Sequence, residues 1–336
     1  MGVKKYISIF VFGLLSLSAC SQGERDCSEG DLDRWMRDSE KIKVLSTTAM
    51  IDDIVGQVGG DRIDHIALIC GEIDPHSYEL VKGDDEKLER AQVIFYNGLG
   101  LEHGASLRYQ LQSHTHSIAL GNRVQEENGQ EMISVGNQID PHIWMDISLW
   151  SEIINPIIEE LSQVDPEGRG GFIRNGEILR TKMEVEHQRI RQEFQKIPET
   201  KRYLVSSHDA FNYFTRAYLA EPTEILQAQW QKRFASPEGL SPDGQLSASD
   251  IQKIVDHLAR YQIQVIFPES NVSRDSLKKI VHACGQNGLK VNISSEVLYG
   301  DAMGEKSGDG DLYLKMIAYD ADVLLSTWGE QSHVAK

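Results

Sequence analysis

Apolar positions along this chain fall into short clusters that switch between a strand-like and a helix-like period. Lys43-Val44-Leu45-Ser46-Thr47 is brief and mostly apolar, which predicts a buried strand. Met50 to Val58 follows with helical spacing and stops at Gly59-Gly60, the residue type that ends helices. Ile63 to Ile69 reads as a second strand, Asp84 to Ala91 as a helix, and Val93 to Asn97 as a third strand closed by a glycine turn. Such alternation implies a parallel sheet flanked by helices.

Past a helical stretch from Ser148 to Leu161, the pattern from Phe172 to Lys196 is one uninterrupted helix, with Ile173, Leu179, Met183, Ile190 and Phe194 among its apolar positions and Pro198 as its stop. At ~1.5 Å per residue it extends roughly 38 Å, about the height of a domain. The series then restarts. Tyr203 to Ser207, Gln264 to Phe267 and Leu289 to Ile293 read as strands, and Ser249 to Tyr261 and Ser273 to Cys284 as helices. The expected fold class is α/β with two lobes, each a mainly parallel sheet flanked by helices, joined by one long rigid helix. The expected boundaries are 42–165 for the first lobe, 166–198 for the linking helix and 199–336 for the second lobe.

The N-terminus adds a location. Lys4 and Lys5 precede an apolar run from Tyr6 to Leu17, too short for a stable membrane span and suited to a signal-peptide core. Leu17-Ser18-Ala19-Cys20 resembles a bacterial lipobox, so export with lipid on Cys20 is expected, and cleavage near Ala19 to give a soluble protein is the alternative. Residues 1–20 form this signal segment, and the polar stretch 21–41 reads as a tether. A formal charge of −17 argues against a nucleic-acid partner, because phosphate binding needs clustered Lys and Arg. With Cys20 lipidated, Cys27, Cys70 and Cys284 remain, an odd number for an oxidising compartment. Cys70 with Cys284 is the preferred bridge, and a Cys70 thiolate on a metal is the lesser alternative.

The candidate chemistry sits at strand ends. Asp-Pro-His occurs twice, at Asp74-Pro75-His76 and Asp140-Pro141-His142, and Ser207-His208-Asp209 ends a third apolar run. Proline fixes its own φ and pushes the preceding residue toward extended backbone, so each imidazole rides on a stiff turn. Ligands of parallel α/β sheets bind at the carboxyl ends of strands. Asp301, after the last strand, is the fourth candidate. Three imidazoles and a carboxylate suit Zn²⁺, Mn²⁺ or Fe²⁺.

These segments resemble the metal-binding lipoproteins of bacterial ABC importers for manganese, zinc and iron. The resemblance rests on Asp-Pro-His76-Ser-Tyr-Glu, Asp-Pro-His142-Ile-Trp-Met-Asp, Ser-His208-Asp-Ala-Phe-Asn-Tyr-Phe, Leu-Ser-Ala-Ser-Asp-Ile, Ile266-Phe267-Pro268-Glu269 and Tyr299-Gly-Asp301-Ala-Met, in order from about Ile42 nearly to the C-terminus. It implies two lobes joined by one long helix, with the ion between them on His76, His142, His208 and Asp301. It also implies delivery to a membrane permease served by a separate ATPase subunit, and a monomer is expected. Glu269 is placed beside a ligating imidazole to fix its tautomer, or alternatively caps the following helix. His65, His103, His114, His116, His187, His257, His282 and His333 stay unassigned; His114 with His116 is a weaker accessory-site candidate. Asp309 and Asp311 lie close enough to Asp301 to compete with it for the fourth place.

Two rival classes fit less well. A zinc hydrolase keeps an open coordination position, whereas four protein side chains are available here and no His-Glu-x-x-His pair is present. An adhesin needs no metal cluster, and the repeats common in that class are absent. The cargo stays open among zinc, manganese and iron: Arg123 to Asp140 holds no histidine-rich stretch, and the third position is His208, where many manganese relatives carry glutamate. Protons compete for imidazoles, so affinity is expected to fall as pH drops through roughly 6.5.

Overall fold

Strand β1 (Ile42–Ser46) is buried at every position, as a central strand must be when helices cover both faces of its sheet. The computed structural model describes residues 29–37, 39–242 and 246–330, so the signal segment, Cys20, Cys27 and His333 lie outside the described residues. β1 pairs in parallel with β2 (Ile63–Ala67) on one side and β3 (Val93–Tyr96) on the other, and β4 (Ser117–Ala119) completes the order β2-β1-β3-β4. Val44 stands opposite both His65 and Val93. The connections run through α2 (Ala49–Gly59), α3 (Asp84–Arg90) and α4 (Ala105–Ser113). α5 (Leu120–Asn128) follows, then a small antiparallel pair, β5 (Ser134–Val135) and β6 (Gln138–Ile139), turned through Gly136 at φ 61°.

The predicted helix from Ser148 to Leu161 is broken. It divides into α6 (Ile147–Trp150), a 3₁₀ turn over Ser151–Ile153 and α7 (Ile154–Val164). Pro156 has no N–H to give to the carbonyl of Glu152, so the turn that would contain that bond tightens instead. The start is capped by the Asp146 carboxylate, which accepts the Ser148 and Leu149 amides.

α8 (Arg169–Gln195) is the long helix, about 40 Å at 1.5 Å per residue. Its buried positions are Phe172, Gly176, Leu179, Met183, His187, Ile190 and Phe194, a single stripe at three- and four-residue spacing. Gly176 lets it approach α7 closely, since a Cβ there would lie 2.7 Å from Ile158 Cδ1. Met183, Ile190 and Phe194 belong to one continuous apolar core shared with Val44 and Ile54 of the first lobe and Phe214, Ile317 and Leu324 of the second. The helix is therefore embedded along its length in both lobes. It cannot act as a free hinge.

Strands of the second lobe are shorter than their apolar runs. β7 (Leu204–Val205) pairs with β8 (Phe234–Ala235), and β9 (Val265–Ile266) with β10 (Asn292–Ile293), all in parallel. The Phe267 amide donates to the Val205 carbonyl (2.8 Å) and joins the two pairs. β7 stops early because the amides of Ser207 and His208 turn away to the Glu269 carboxylate. Around these strands lie α9 (Asn212–Phe214), continued by a π-turn over Thr215–Leu219, then α10 (Pro222–Leu226), α11 (Ala248–Tyr261), α12 (Asp275–Gln286) and α13 (Tyr313–Glu330).

Two expectations change. The stretch read as a tether contains α1 (Glu29–Met36), whose Trp35 packs against Leu45 and Leu68 and donates its indole N–H to the Asp64 carbonyl. The Cys70–Cys284 bridge is incorrect: Cys70 is disulfide-bonded, whereas Cys284 is a free thiol buried with Val205, Ile254 and Leu258 in the outer core of the second lobe. The bonded Cys70 cannot be the thiolate ligand either.

Candidate metal centre

Each Asp-Pro-His segment folds as a turn stapled by its own aspartate. The Asp74 Oδ1 accepts the His76 amide (2.9 Å), and Asp140 Oδ1 accepts the His142 amide (3.0 Å). The two aspartates then diverge. Asp74 takes the Ser77 hydroxyl, whereas Asp140 turns back on its histidine and accepts His142 Nδ1–H at 2.6 Å. Asn212 holds the far oxygen of Asp140 at 2.9 Å, so that carboxylate cannot swing away.

His208 reaches the same point from the other lobe. Glu269 Oε1 accepts the amides of Ser207 and His208 at 2.9 and 2.8 Å, while Oε2 lies 2.6 Å from His208 Nδ1. Glu269 thus grips both the backbone and the ring of His208. It does not cap α12, which begins at Asp275.

Asp301 arrives on a loop fixed from two directions, with Trp144, one of its holders, itself held by Tyr313. The Tyr299 amide donates to buried Asp320 (2.8 Å), Trp144 Nε1–H donates to the Gly300 carbonyl (2.8 Å), and Tyr313 Oη–H donates to the Trp144 carbonyl (2.7 Å). Position 300 must be glycine because a Cβ would sit 2.3 Å from the Glu269 carboxylate. Trp144, two residues beyond His142, therefore ties the His142 turn to the Asp301 loop across the cleft.

These devices bring His76, His142, His208 and Asp301 together, with one donor atom of each within 4.8 Å of the rest. His76 Nε2 is 3.2 Å from His142 Nε2, and the Asp301 oxygens are 3.3 Å from His142 Nε2, 3.0 Å from His208 Nε2 and 3.6 Å from His76 Nε2. Donors about 2.1 Å from a tetrahedral ion are separated by roughly 3.4 Å, so the spacing fits a first-row divalent ion. Both Asp301 oxygens and His208 Nε2, the atoms that face the common point, are buried without a hydrogen bond of normal geometry among the described residues. Buried polar atoms left in that state ordinarily have a partner to receive.

Electrostatics without an ion are those of a proton-loaded site. Burial disfavours charge on His142, but Asp140 and Asp301 outweigh it and push its pKa up to about 9. Burial likewise opposes charge on His208, and Asp301 with Glu269 raises it well above the ordinary value. Burial opposes ionisation of Asp301, yet His208 and His142 hold it well below the usual carboxylate range. His76, with no carboxylate behind its ring, is driven down to about 3 by burial. Burial and the neighbouring Asp140 push Asp209 up to about 7.

The remaining candidates lie elsewhere. His116 faces Glu160 on an exposed surface (3.0 Å), and among the described residues neither it nor His114 belongs to a cluster able to hold an ion. Asp311 binds the Ser307 amide and Lys315. Asp140, Trp144, Gly300 and Asp320 were not singled out by their sequence. Asp140 had a signal as the first residue of a repeated motif, Trp144 and Gly300 lay inside the quoted motifs without a role, and Asp320 had none. Replacing Glu269 with Gln keeps an acceptor for the two amides and removes the charge behind His208. Metal affinity is expected to fall about ten- to a hundredfold in chelator competition, the usual cost of losing such a partner; unchanged affinity would deny Glu269 that role.

Residues 44–327 match the family described as zinc-uptake complex component A, periplasmic. The metal-binding protein YtgA of Chlamydia trachomatis serovar D is 39% identical over 298 residues, 89% of this chain and 90% of that protein. The manganese-binding lipoprotein MntA of Bacillus subtilis is 30% identical over 286 residues, 85% of this chain and 89% of that one. Among solved structures, Fe(III)-bound YtgA from Chlamydia trachomatis superposes with a TM-score of 0.80 at 37% identity, covering 85% of this chain and 97% of that one. The periplasmic zinc-binding protein TroA from Treponema pallidum gives 0.76 at 26% identity, covering 86% and 99%.

Proposed function

The chain belongs to the zinc-uptake complex component A family of periplasmic metal-binding proteins, and on that premise we propose that His76, His142, His208 and Asp301 are the ligands of its cargo. The family serves ABC metal importers as the substrate-binding component, working with a permease and an ATPase, and is not enzymatic. The single observation carrying the assignment is the buried four-donor cluster between the lobes, its donors within 4.8 Å of one another and the Asp301 oxygens 3.0 to 3.6 Å from the three imidazole nitrogens. One divalent Zn, Mn or Fe ion per chain is the cargo class, as a three-nitrogen, one-oxygen set favours.

The cycle follows from the attachment of the ligands. His76 and His142 belong to the lobe over 42–165, His208 and Asp301 to the lobe over 199–336, and the connection over 166–198 is embedded in both. Capture exchanges the protons held on His142 and His208 for the divalent ion and draws the lobes slightly closer. Delivery to the importer has the permease pull the ligand turns apart. Lipid on Cys20 holds a monomer at the membrane surface. No helix of the described residues is long and apolar enough to cross a membrane.

Native mass spectrometry of the wild-type chain tests this reading. We expect one bound divalent ion, lost on chelation and regained on adding metal, and loss of metal uptake when the gene is deleted. A chain that retains no ion at neutral pH rejects it.

A further inference from the structure

The centre has one open side. His142 and His208 are fully buried and Asp301 nearly so, but His76 also lines a cavity of about 760 Å³ between the lobes, bounded by Tyr96, Arg108 and Asn122 on one side and Gly239 to Ser241 on the other. An ion passing between solvent and the centre along this cavity meets His76 first. A second imidazole stands beside it: the His103 ring lies 5.8 Å from the His76 ring, centroid to centroid, lines the same cavity and is exposed to solvent.

The loop carrying His103 is built with unusual care. Gly98, Leu99 and Gly100 have φ of 73°, 53° and 86°, three consecutive residues in the left-handed region. Leu99 is not glycine, and such a conformation costs on the order of 1 kcal/mol, persisting only where surrounding contacts impose it. Those contacts are present. Buried Glu102 accepts the Asn97 amide (2.8 Å), the Gly98 amide (3.0 Å) and the Thr47 hydroxyl (2.7 Å), and Asn122 accepts the Leu99 amide (3.0 Å). Asn97 Nδ2 donates to the Pro141 carbonyl (3.0 Å), which locks the loop to the turn bearing His142. His103 Nδ1–H donates to the Gly100 carbonyl (3.3 Å), leaving Nε2 with its lone pair.

Resting on the reading of the centre as a cargo site, we propose that His103 is a transit ligand: a second, exchangeable station for a divalent transition-metal ion on the way to and from His76. A hydrated ion in the cavity exchanges one water for His103 Nε2, then passes to His76 as further waters leave. Release reverses these steps. No bond beyond metal coordination forms or breaks, and no oxidant or reductant is involved. His103 lowers the barrier to exchange and contributes nothing to the fully loaded state.

Stopped-flow tryptophan fluorescence tests this on the full chain, with Zn²⁺ as the probe for binding and excess chelator for release. His103→Ala is expected to slow both steps about fivefold or more while leaving the equilibrium affinity within about threefold. His103→Cys, which restores a donor, should recover most of the lost rate. Rates within twofold of wild type, or an affinity loss without matched slowing of both steps, overturn the proposal. If wild type binds one ion tightly and His103→Ala exchanges it normally, only the transit role falls. If wild type binds none, the parent reading falls too.

Discussion

Asp301→Ala is expected to lower divalent-metal affinity by about a thousandfold, roughly 4 kcal/mol. The carboxylate is the only anionic donor of the four and faces all three imidazole nitrogens at 3.0 to 3.6 Å. Its removal takes away a ligand and the charge that balances the ion in a fully buried site, where an unpaired charge is costly. The apo fold should survive, because His142 keeps Asp140 and His208 keeps Glu269 as ion-pair partners. Isothermal titration against a competing chelator measures the loss, and circular dichroism checks the fold. His142→Ala should lose the ion in the same way. An Asp301→Ala affinity within tenfold of wild type would remove Asp301 from the ligand set.

The residues brought together in the centre are those whose sequence context was itself structural. Asp-Pro-His reads as a stiff turn because proline restricts two residues and aspartate caps its own backbone, and both are local effects. The alternating strands and helices of the first lobe were legible for the same reason. The second lobe was less so: Tyr203 to Ser207 looks like a five-residue strand, but a carboxylate 62 residues distant takes the Ser207 amide, and no local pattern announces that. Trp144 and Asp320 act through contacts spanning 156 and 21 residues and carry no periodic signature. The disulfide was misread because the pairing was chosen on both cysteines lying inside the folded region, although Cys70 and Cys284 fall in different predicted lobes and spacing alone does not fix connectivity. The helix over Glu29–Met36 escaped notice because it is short, with Leu32, Trp35 and Met36 as its apolar side chains and Trp35 the one that docks it.

Affinity should rise with pH well past the range of an ordinary histidine. His142 has been pushed up to about 9 and His208 well above 6.5, while His76 is down near 3. At pH 7 the empty centre therefore carries protons on two rings and none on the third. A metal ion needs all three lone pairs, so binding expels about two protons, and affinity should climb up to about a hundredfold per pH unit until His142 deprotonates by itself near 9. This displaces the window expected for an unperturbed imidazole upward by more than two units. The fold responds with the opposite sign. A group whose folded pKa is raised contributes stability that is complete below its unfolded value of ~6.5 and is lost as pH rises through its folded value. The apo protein should then melt at progressively lower temperature between pH 6.5 and 9 while the loaded protein does not, widening the gap between them. Calorimetric titration at pH 7 in two buffers of different ionisation enthalpy counts the protons directly. A release below one proton per ion would mean that the empty centre does not store charge on His142 and His208, and the pH dependence would revert to that of free imidazole.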